Sequence, residues 1–267
     1  ENNNVFVTGI PADNSFPSAP NSAIPNFVGG TNDGFVIELS ADGSTLLNGS
    51  FFGSEAKDES FFIDIDSDGF VYIYGQNQGI IPISETCYGN ENSAQFIAKF
   101  DSNLENIVWQ TTIGTGSINN SDFVPIAFMV DICKKIYISG HSGSVSGTIP
   151  QIYSQDNSLF SSGGFYIMVL EEDATAVNYA TYYTGAHVDG GTSRFDPNGI
   201  IYQAVCDNSV FNTTNNAYSP NINTGSYDIG VFKIELVNAI LSATASAEPS
   251  TSGCAPFNIS FNNLSSP

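Results

Sequence analysis

Short runs rich in aromatic and β-branched residues recur along the chain at a nearly constant interval. The clearest read VFVTG from residue 5, VYIYG from residue 71, IYISG from residue 136 and IYQAV from residue 201. Successive starts are therefore about 65 residues apart. Residues of these types favour β-strands. The spacing predicts a repeated structural unit, with Val5, Val71, Ile136 and Ile201 at equivalent positions.

Three further strand-like runs accompany each of these runs. One precedes it (FFIDI at 61–65, IAFMV at 126–130), and a phenylalanine- or valine-led run follows it (35–39, 96–100, 165–169 and 231–234). A last run ends in a glycine at Gly53, Gly114 or Gly185. Four strands per period are typical of the blades of a β-propeller. The sequence thus predicts an all-β fold, with about four blades of four antiparallel strands.

An aspartate stands five residues before the second strand in three of the repeats: Asp66, Asp131 and Asp196. The residues between it and the strand include SDG after Asp66 and PNG after Asp196. Such dipeptides as Asp-Gly and Asn-Gly are strong hairpin signals. We expect each aspartate to cap the turn that begins the strand.

Long segments separate the second and third strands of each repeat, at residues 10–34, 76–95, 141–164 and 206–230. They are rich in Pro, Ser, Asn and Gly and show no regular periodicity, which is typical of surface loops. Because each occupies the same place in its repeat, we expect all four on one face. Loops on a rigid scaffold often carry recognition. Partner contacts are therefore predicted there, or near residues 239–249.

Both ends of the sequence interrupt the pattern. It begins at a second strand, so we expect the encoded protein to continue upstream with an aspartate before Glu1, a strand of about five residues and further blades. After residue 236 the final strand is missing, and GCAPFNISF at 253–261 indicates a different β domain. We divide the chain into blades at 1–238 and a linker with the first strands of a second domain at 239–267.

The charge and the hydropathy of the chain limit the kinds of partner that we expect. The chain has 27 acidic and 6 basic residues, a formal net charge of −21. Such a surface repels phosphate backbones and anionic lipids, so we expect no nucleic-acid partner. No apolar run reaches about 20 residues, so we expect no direct membrane insertion.

The motifs of the repeat resemble those of a known family. DGFVIELSADGSTL at 33–46 and DSDGFVYIYG at 66–75 are similar to the bacterial seven-bladed β-propeller (SBBP) repeat, in which blades carry a DxxGNVYVTG motif. The fourth repeat, from His187 to Cys206, resembles the last blade of large Bacteroidota surface proteins, where an immunoglobulin-like PKD-type β-sandwich follows. The resemblance implies a cell-surface or secreted, outer-membrane-associated protein, linked to gliding motility and type IX secretion. It implies no particular biochemical activity.

One segment has the start of a calcium loop. Asp64, Asp66 and Asp68 stand on alternate residues before a glycine. An EF-hand needs a bidentate glutamate at the twelfth position, where Gly75 stands, and a propeller calcium loop has an aspartate at the ninth, where Tyr72 stands. Calcium at these three aspartates is the only cofactor that the sequence indicates, and no cofactor is required. The alternative is a hairpin turn.

Other candidate chemistry has a structural explanation. His187, Asp189, Arg194 and Asp196 lie near Ser193, but without a GxSxG context, so we favour structural ion pairing over a hydrolase site. Cys133 and Cys206 stand at opposite ends of matching strands, about 17 Å apart, too far for a disulfide. Trp109 could belong to a sugar-binding platform, although aromatic residues in strands usually form the core.

The leading prediction is a non-catalytic extracellular scaffold or recognition module that serves adhesion, gliding or docking to the secretion machinery. Its partner would be a protein of the cell envelope or an extracellular glycan. The alternatives are a polysaccharide-binding module of a larger degradative protein, and a hydrolase with its site in the propeller channel. Fold class alone does not decide among them.

Overall fold

The chain forms successive antiparallel β-sheets, as the repeat predicts. The computed structural model describes residues 3–12, 19, 21–119, 121–142, 164–183, 193–196, 200–207, 213–219, 221, 228–235, 241–242 and 252–253. Within these residues the only helical segment is a 3-10 turn, Glu172–Ala174. The predicted all-β class is confirmed.

Four sheets follow one another in chain order, each a simple up-and-down meander. Sheet 1 contains β1 (Val5–Gly9), β2 (Gly34–Leu39) and β3 (Leu46–Phe52). Sheet 2 contains β4 (Asp58–Ile65), β5 (Val71–Asn77), β6 (Gln95–Phe100) and β7 (Ile107–Ile113). Sheet 3 contains β8 (Val124–Val130), β9 (Ile136–Ser142), β10 (Gly164–Leu170) and β11 (Val177–Tyr183). Sheet 4 contains β12 (Ser193–Asp196), β13 (Ile200–Asp207) and β14 (Asp228–Glu235). β15 (Leu241–Ser242) and β16 (Ser252–Gly253) form a separate two-stranded pair.

The strand register confirms the equivalence predicted for the second strands. Each predicted residue pairs with the residue near the end of the following strand: Val5 with Leu39, Val71 with Phe100, Ile136 with Leu170 and Ile201 with Ile234. All of these pairings are antiparallel. Sheets 2 and 3 have the predicted four strands, whereas the described parts of sheets 1 and 4 have three.

The aspartate before the second strand caps its turn, as predicted. Asp66 Oδ1 accepts hydrogen bonds from the backbone N–H groups of Asp68 and Phe70, both at 3.0 Å, and Asp66 Oδ2 accepts one from the Tyr72 hydroxyl at 2.9 Å. The corresponding aspartate of sheet 3, Asp131, accepts the same set from Cys133, Lys135 and Tyr137. Residues 197–199, which follow Asp196, lie outside the described residues.

Removing a buried cap should destabilise the fold. Asp131 is 2 % exposed, so Asp131→Ala leaves two backbone N–H groups and a buried hydroxyl without their acceptor. We expect the free energy of unfolding to fall by about 2–3 kcal/mol in urea denaturation. Asp101→Ala is the matched control, because Asp101 caps an exposed turn through Glu105 and Asn106. A loss no larger than that of the control would contradict the role of Asp131.

Successive sheets stack face to face, and both faces of the middle sheets are buried. In β5, Val71 and Ile73 pack on sheet 1, while Tyr72 and Tyr74 pack on sheet 3. The cluster between sheets 3 and 4 has the same character and includes Ile201. Because both faces of these strands are buried, their sequences are nearly continuous apolar runs and do not alternate between apolar and polar residues.

The sheets approach one another most closely at their first strands, since β4 contacts β8 and β8 contacts β12. Sheet 1 lacks a first strand among the described residues, and β4 contacts β1 there. Among the described residues, the outer faces of sheets 1 and 4 carry exposed apolar side chains. Val5 on sheet 1 is 42 % exposed, whereas its equivalents Val71 and Ile136 are fully buried. On sheet 4, Val231 and Ile229 are exposed.

The long loops take a different course from the one predicted. The first loop runs back along β3, the edge strand of its own sheet, where Phe51 N–H donates to Ile24 O. It also contacts the next sheet, where Ala23 N–H donates to Leu104 O at 2.9 Å. In the second loop, Tyr88 N–H likewise donates to Ala174 O at 2.7 Å. Both acceptors lie in turns at the opposite end of the strands. The prediction that these loops stay on one face is therefore wrong for these two.

By running along β3 and β7, the first two loops cover the edge strands of sheets 1 and 2. The second loop also bonds along β7, through Ser84 N–H to Gln110 O and Asn90 N–H to Thr112 O. An uncovered edge strand presents unpaired backbone groups on which another chain can pair. The loops therefore satisfy β3 and β7 and join each sheet to the next. Residues 143–163 of the third loop and residues 208–212, 220 and 222–227 of the fourth lie outside the described residues.

Candidate functional site

The aspartates of the predicted calcium loop are each held by protein donors. Asp64 Oδ2 accepts a hydrogen bond from Val130 N–H of sheet 3 at 2.7 Å, and burial raises the pKa of Asp64. Asp66 is the turn cap described above. Asp68 forms an ion pair with Lys134, whose Nζ lies 2.6 Å from Asp68 Oδ2. The structure therefore gives the three side chains a structural role between sheets 2 and 3.

Lys134 also pairs with Glu172 at 3.3 Å, so it sits between two carboxylates. The hydrogen bond that Lys134 donates to Asp68 raises the pKa of Lys134, which keeps the ammonium charged. Among the described residues, no three His, Cys, Asp or Glu side chains are grouped as metal ligands. Calcium binding at Asp64, Asp66 and Asp68 stays a prediction.

A buried lysine forms the second cluster of charged groups. Lys99 is 4 % exposed, and its Nζ lies 2.7 Å from Asp173 Oδ1 and 3.9 Å from Asp66 Oδ2. Trp109 Nε1–H donates to the same oxygen of Asp173 at 3.0 Å. Burial alone would raise the pKa of Asp173, but the bonds from Lys99 and Trp109 hold it below its usual value. The cluster joins sheet 2 to the turn of sheet 3 and leaves Lys99 fully engaged.

Trp109 belongs to the core. It is 5 % exposed, and its ring packs edge-on against Tyr72 at a centroid distance of 5.9 Å. Its indole has no free face for stacking on a sugar. The fully exposed aromatic residue on the described surface is Tyr218, in the fourth long loop.

The segment considered for hydrolysis is only partly described. His187 and Asp189 lie outside the described residues. Ser193 is 4 % exposed, and its hydroxyl bonds to Gln203 Oε1 and lies 3.3 Å from the Ser139 hydroxyl. Arg194 Nη1 donates to the Ser193 carbonyl at 2.7 Å. Ser193 thus bridges β12, β13 and the neighbouring β9.

A pair of buried carboxyl groups, which the sequence analysis did not identify, lies between sheets 1 and 2. Asp33 immediately precedes β2 and Asp58 begins β4, and both are fully buried. Burial raises the pKa of Asp33, and burial together with the charge of Asp33 raises the pKa of Asp58 to about 6. Asp33 begins the repeat motif DGFVIELSADGSTL, but neither that motif nor the residues around Asp58 have the spacing of metal ligands or catalytic groups.

A polar cleft lies where sheets 2 and 3 meet. Its walls are side chains with amide, hydroxyl and charged groups: Lys57, Glu59, Gln76, Asn77, Gln78 and Ser121. Gln76 Nε2–H bonds to Ser121 and to Phe123 O, which joins sheets 2 and 3 at the base of the cleft. Such a surface offers hydrogen bonds to a polar ligand, without an aromatic platform.

The cysteines fall into two redox states. Cys133 is disulfide-bonded, while Cys87 and Cys206 are half-buried free thiols. The predicted absence of a Cys133–Cys206 bridge is confirmed. Cys254 lies outside the described residues.

Alkylation should reproduce this pattern. When the chain is denatured without reductant and treated with iodoacetamide, we expect peptide mass spectrometry to find Cys87 and Cys206 modified and Cys133 unmodified. Reduction before alkylation should add Cys133, because only a free thiol reacts. Modification of Cys133 in the unreduced sample would contradict the disulfide.

The chain matches no protein-family model, and no curated protein matches it significantly. None of the helical segments in the described part of the chain is long and apolar enough to cross a bilayer.

Proposed function

We propose that the four sheets are blades of a β-propeller and that the chain is a non-catalytic recognition or scaffold module of a secreted or cell-surface protein. The observation that carries the architecture is the contact between first strands, from β4 to β8 to β12. Sheets that stack face to face and meet at their first strands are the arrangement of blades around a central axis. The open apolar face of sheet 1 supports the expectation of a further blade.

Several observations support an extracellular setting. A disulfide at Cys133 is the kind of bond that persists in an oxidising compartment. The strongly acidic composition, with few lysines and arginines, suits a soluble surface that repels anionic polymers. Together with the resemblance to SBBP repeats, these features favour a Bacteroidota envelope protein that is exported by the type IX system and serves adhesion or gliding.

The assignment as non-catalytic rests on how the reactive side chains are engaged. Lys99 is paired with Asp173, and the Ser193 hydroxyl is buried between Ser139 and Gln203. Neither residue presents a free nucleophile to solvent. The polar cleft beside Asn77 favours a second candidate function, the binding of an extracellular glycan through amide and hydroxyl groups.

Deleting the gene in the native organism tests the proposal. We expect impaired surface adhesion or spreading, restored by the wild-type gene, and we expect the protein on intact cells to be cleaved by added protease. A glycan array with the purified chain tests the second candidate, and Gln76→Ala with Gln78→Ala should then abolish binding. Unchanged adhesion and spreading, or a location inside the cell, would contradict the proposed function.

A further inference from the structure

Asp33 and Asp58 converge on one point between sheets 1 and 2. A Cβ atom placed on Gly53 would lie 2.8 Å from Asp33 Oδ1 and 2.8 Å from Asp58 Oδ2. The two oxygens are therefore no farther apart than twice that distance, and a single ion between them could contact both carboxylates. Glycine is required at position 53 because any side chain would occupy this point.

The cluster contains more acceptors than donors. Asp33 Oδ2 accepts from Val28 N–H at 2.5 Å, and Asp58 Oδ2 accepts from Ser54 N–H at 2.6 Å and from the Ser54 hydroxyl at 2.8 Å. The other oxygen of each carboxylate, Oδ1, is buried and has no hydrogen-bond partner among the described residues. Buried polar atoms in native proteins are normally paired, so an unpaired oxygen on each of two carboxylates that converge at Gly53 indicates an additional ligand.

Asn77 supplies a third oxygen of the same kind. It stands directly opposite Asp58 in the register of β4 and β5, which places the two side chains on the same face of sheet 2. Its amide N–H groups donate to Gly79 O and Ser93 O, and its Oδ1 is buried without a partner. Asn77 also contributes to the lining of the polar cleft.

No basic side chain neutralises this cluster. Lys57, the nearest in sequence, pairs with Glu59 at 2.8 Å, and no ion pair joins Asp33 or Asp58 to any described lysine or arginine. Two buried carboxylates without a counter-charge are costly, and they must either bind protons or bind a cation. A water molecule could donate hydrogen bonds to the free oxygens but could not offset their charge.

The interface between sheets 2 and 3 provides a comparison. Gly114 follows β7 as Gly53 follows β3, and Asp122 takes the place of Asp58. Both oxygens of Asp122 are satisfied, by Thr115 N–H and by the Thr115 hydroxyl, each at 2.7 Å. Ala94 stands where sheet 1 has Asp33. At the second interface a buried oxygen without a partner, Gln95 Oε1, lies near Gly114, but it belongs to a neutral amide. Of these two interfaces, only the first has a second carboxylate, and only there does a carboxylate oxygen lack a hydrogen-bond partner.

We propose that Asp33, Asp58 and Asn77 bind a calcium ion between sheets 1 and 2. The donor set is made only of carboxylate and amide oxygens, which suits a hard cation. Calcium accepts six to eight oxygen ligands in irregular geometry and is abundant outside cells, whereas magnesium demands a regular octahedron and retains its waters. The ion would neutralise the carboxylates and join the two sheets.

Calorimetric titration of the EDTA-treated full chain with CaCl2 at neutral pH tests the site. We expect binding in the wild type together with a higher melting temperature, and at least a tenfold loss of affinity in Asp33→Asn with Asp58→Asn. Asp122→Asn is the matched control and should bind like the wild type. Asp64→Asn with Asp68→Asn should also bind normally, which separates this site from the sequence motif.

A crystal soaked in a lanthanide salt gives a result that does not depend on how any variant folds. We expect an anomalous peak between Asp33 and Asp58. The proposal is overturned if calcium neither binds nor raises the melting temperature of the wild type, if binding survives in the Asp33→Asn and Asp58→Asn variant, or if the lanthanide lies only at Asp64–Asp68.

Discussion

Phe96→Ala should lower the free energy of unfolding by about 3–5 kcal/mol, the usual cost of emptying a buried phenylalanine site. Phe96 is fully buried between sheets 1 and 2, where its ring packs on Phe52 at a centroid distance of 4.7 Å. It also covers Gly75, its partner in the register of β5 and β6. The loss is measured by urea denaturation followed through the fluorescence of Trp109, the single tryptophan.

Phe35 is the matched control for this substitution. It occupies the same place in sheet 1, opposite Gly9, but it is only half-buried because no described sheet covers that face. We expect Phe35→Ala to cost about 1–2 kcal/mol, in proportion to the smaller apolar area removed from water. Equal losses from the two substitutions would contradict the difference in burial between equivalent positions.

Asp58 should make the calcium-free protein less stable as the pH rises from about 4 to above 6. Burial raises its pKa from 3.8 in the unfolded chain to about 6 in the folded state. The folded state therefore binds the proton more tightly, and its advantage is complete below pH 3.8 and lost as the pH passes through 6. The shift corresponds to about 3 kcal/mol.

The pH effect is isolated by comparing the wild type with Asp58→Asn in EDTA. A carboxyl group with a lowered pKa acts in the opposite direction: the hydrogen bonds that Ser40 and Ser44 donate lower the pKa of Asp42 from 3.8 to about 2, so its stabilisation is lost as the pH falls through that range. The contribution of Asp42 is common to both proteins and cancels in the difference. We expect the wild type to lose stability relative to the variant between pH 4 and 7 in urea denaturation. Parallel curves would show that Asp58 does not titrate in this range.

The strand register explains a feature of the motif that the period alone did not. In the strand register, the glycine that ends VFVTG, VYIYG and IYISG pairs with an aromatic residue of the third strand: Phe35, Phe96 and Tyr166. If the third strands are aligned on their first phenylalanine, Phe165 takes the place of Phe35 and Phe96. The register instead gives that place to the next residue, Tyr166. In a strand such a shift moves a side chain to the other face.

In the fourth repeat the glycine at this crossing belongs to the third strand and not to the second. Val205 stands where the other repeats have the glycine of the second strand, and it pairs with Gly230 of the third strand. One small residue at this crossing is sufficient, and either strand can supply it. This exchange accounts for the departure of IYQAV from the motif.

The alternate aspartates and the buried carboxyl pair show that a sequence motif alone does not predict which carboxylates could bind a metal. Asp64, Asp66 and Asp68 have the spacing of metal ligands, but Oδ2 of Asp64 and Oδ2 of Asp68 are bonded to donors of sheet 3, more than sixty residues later in the chain. Asp33 and Asp58 have no suggestive spacing and meet only because sheet 1 stacks on sheet 2. Ligand geometry of this kind is set by stacking and is absent from local sequence.

The sequence by itself determined the strands, their order and the capped turns, because these depend on local hydrophobic patterning and on hydrogen bonds within a few residues. It also predicted the repeat, since equivalent units bury equivalent apolar faces. The tertiary structure decided the course of the long loops along β3 and β7, the exact partners of Lys99, and the unpaired oxygens of Asp33, Asp58 and Asn77. These features depend on contacts between sheets, where residues distant in sequence satisfy or fail to satisfy one another.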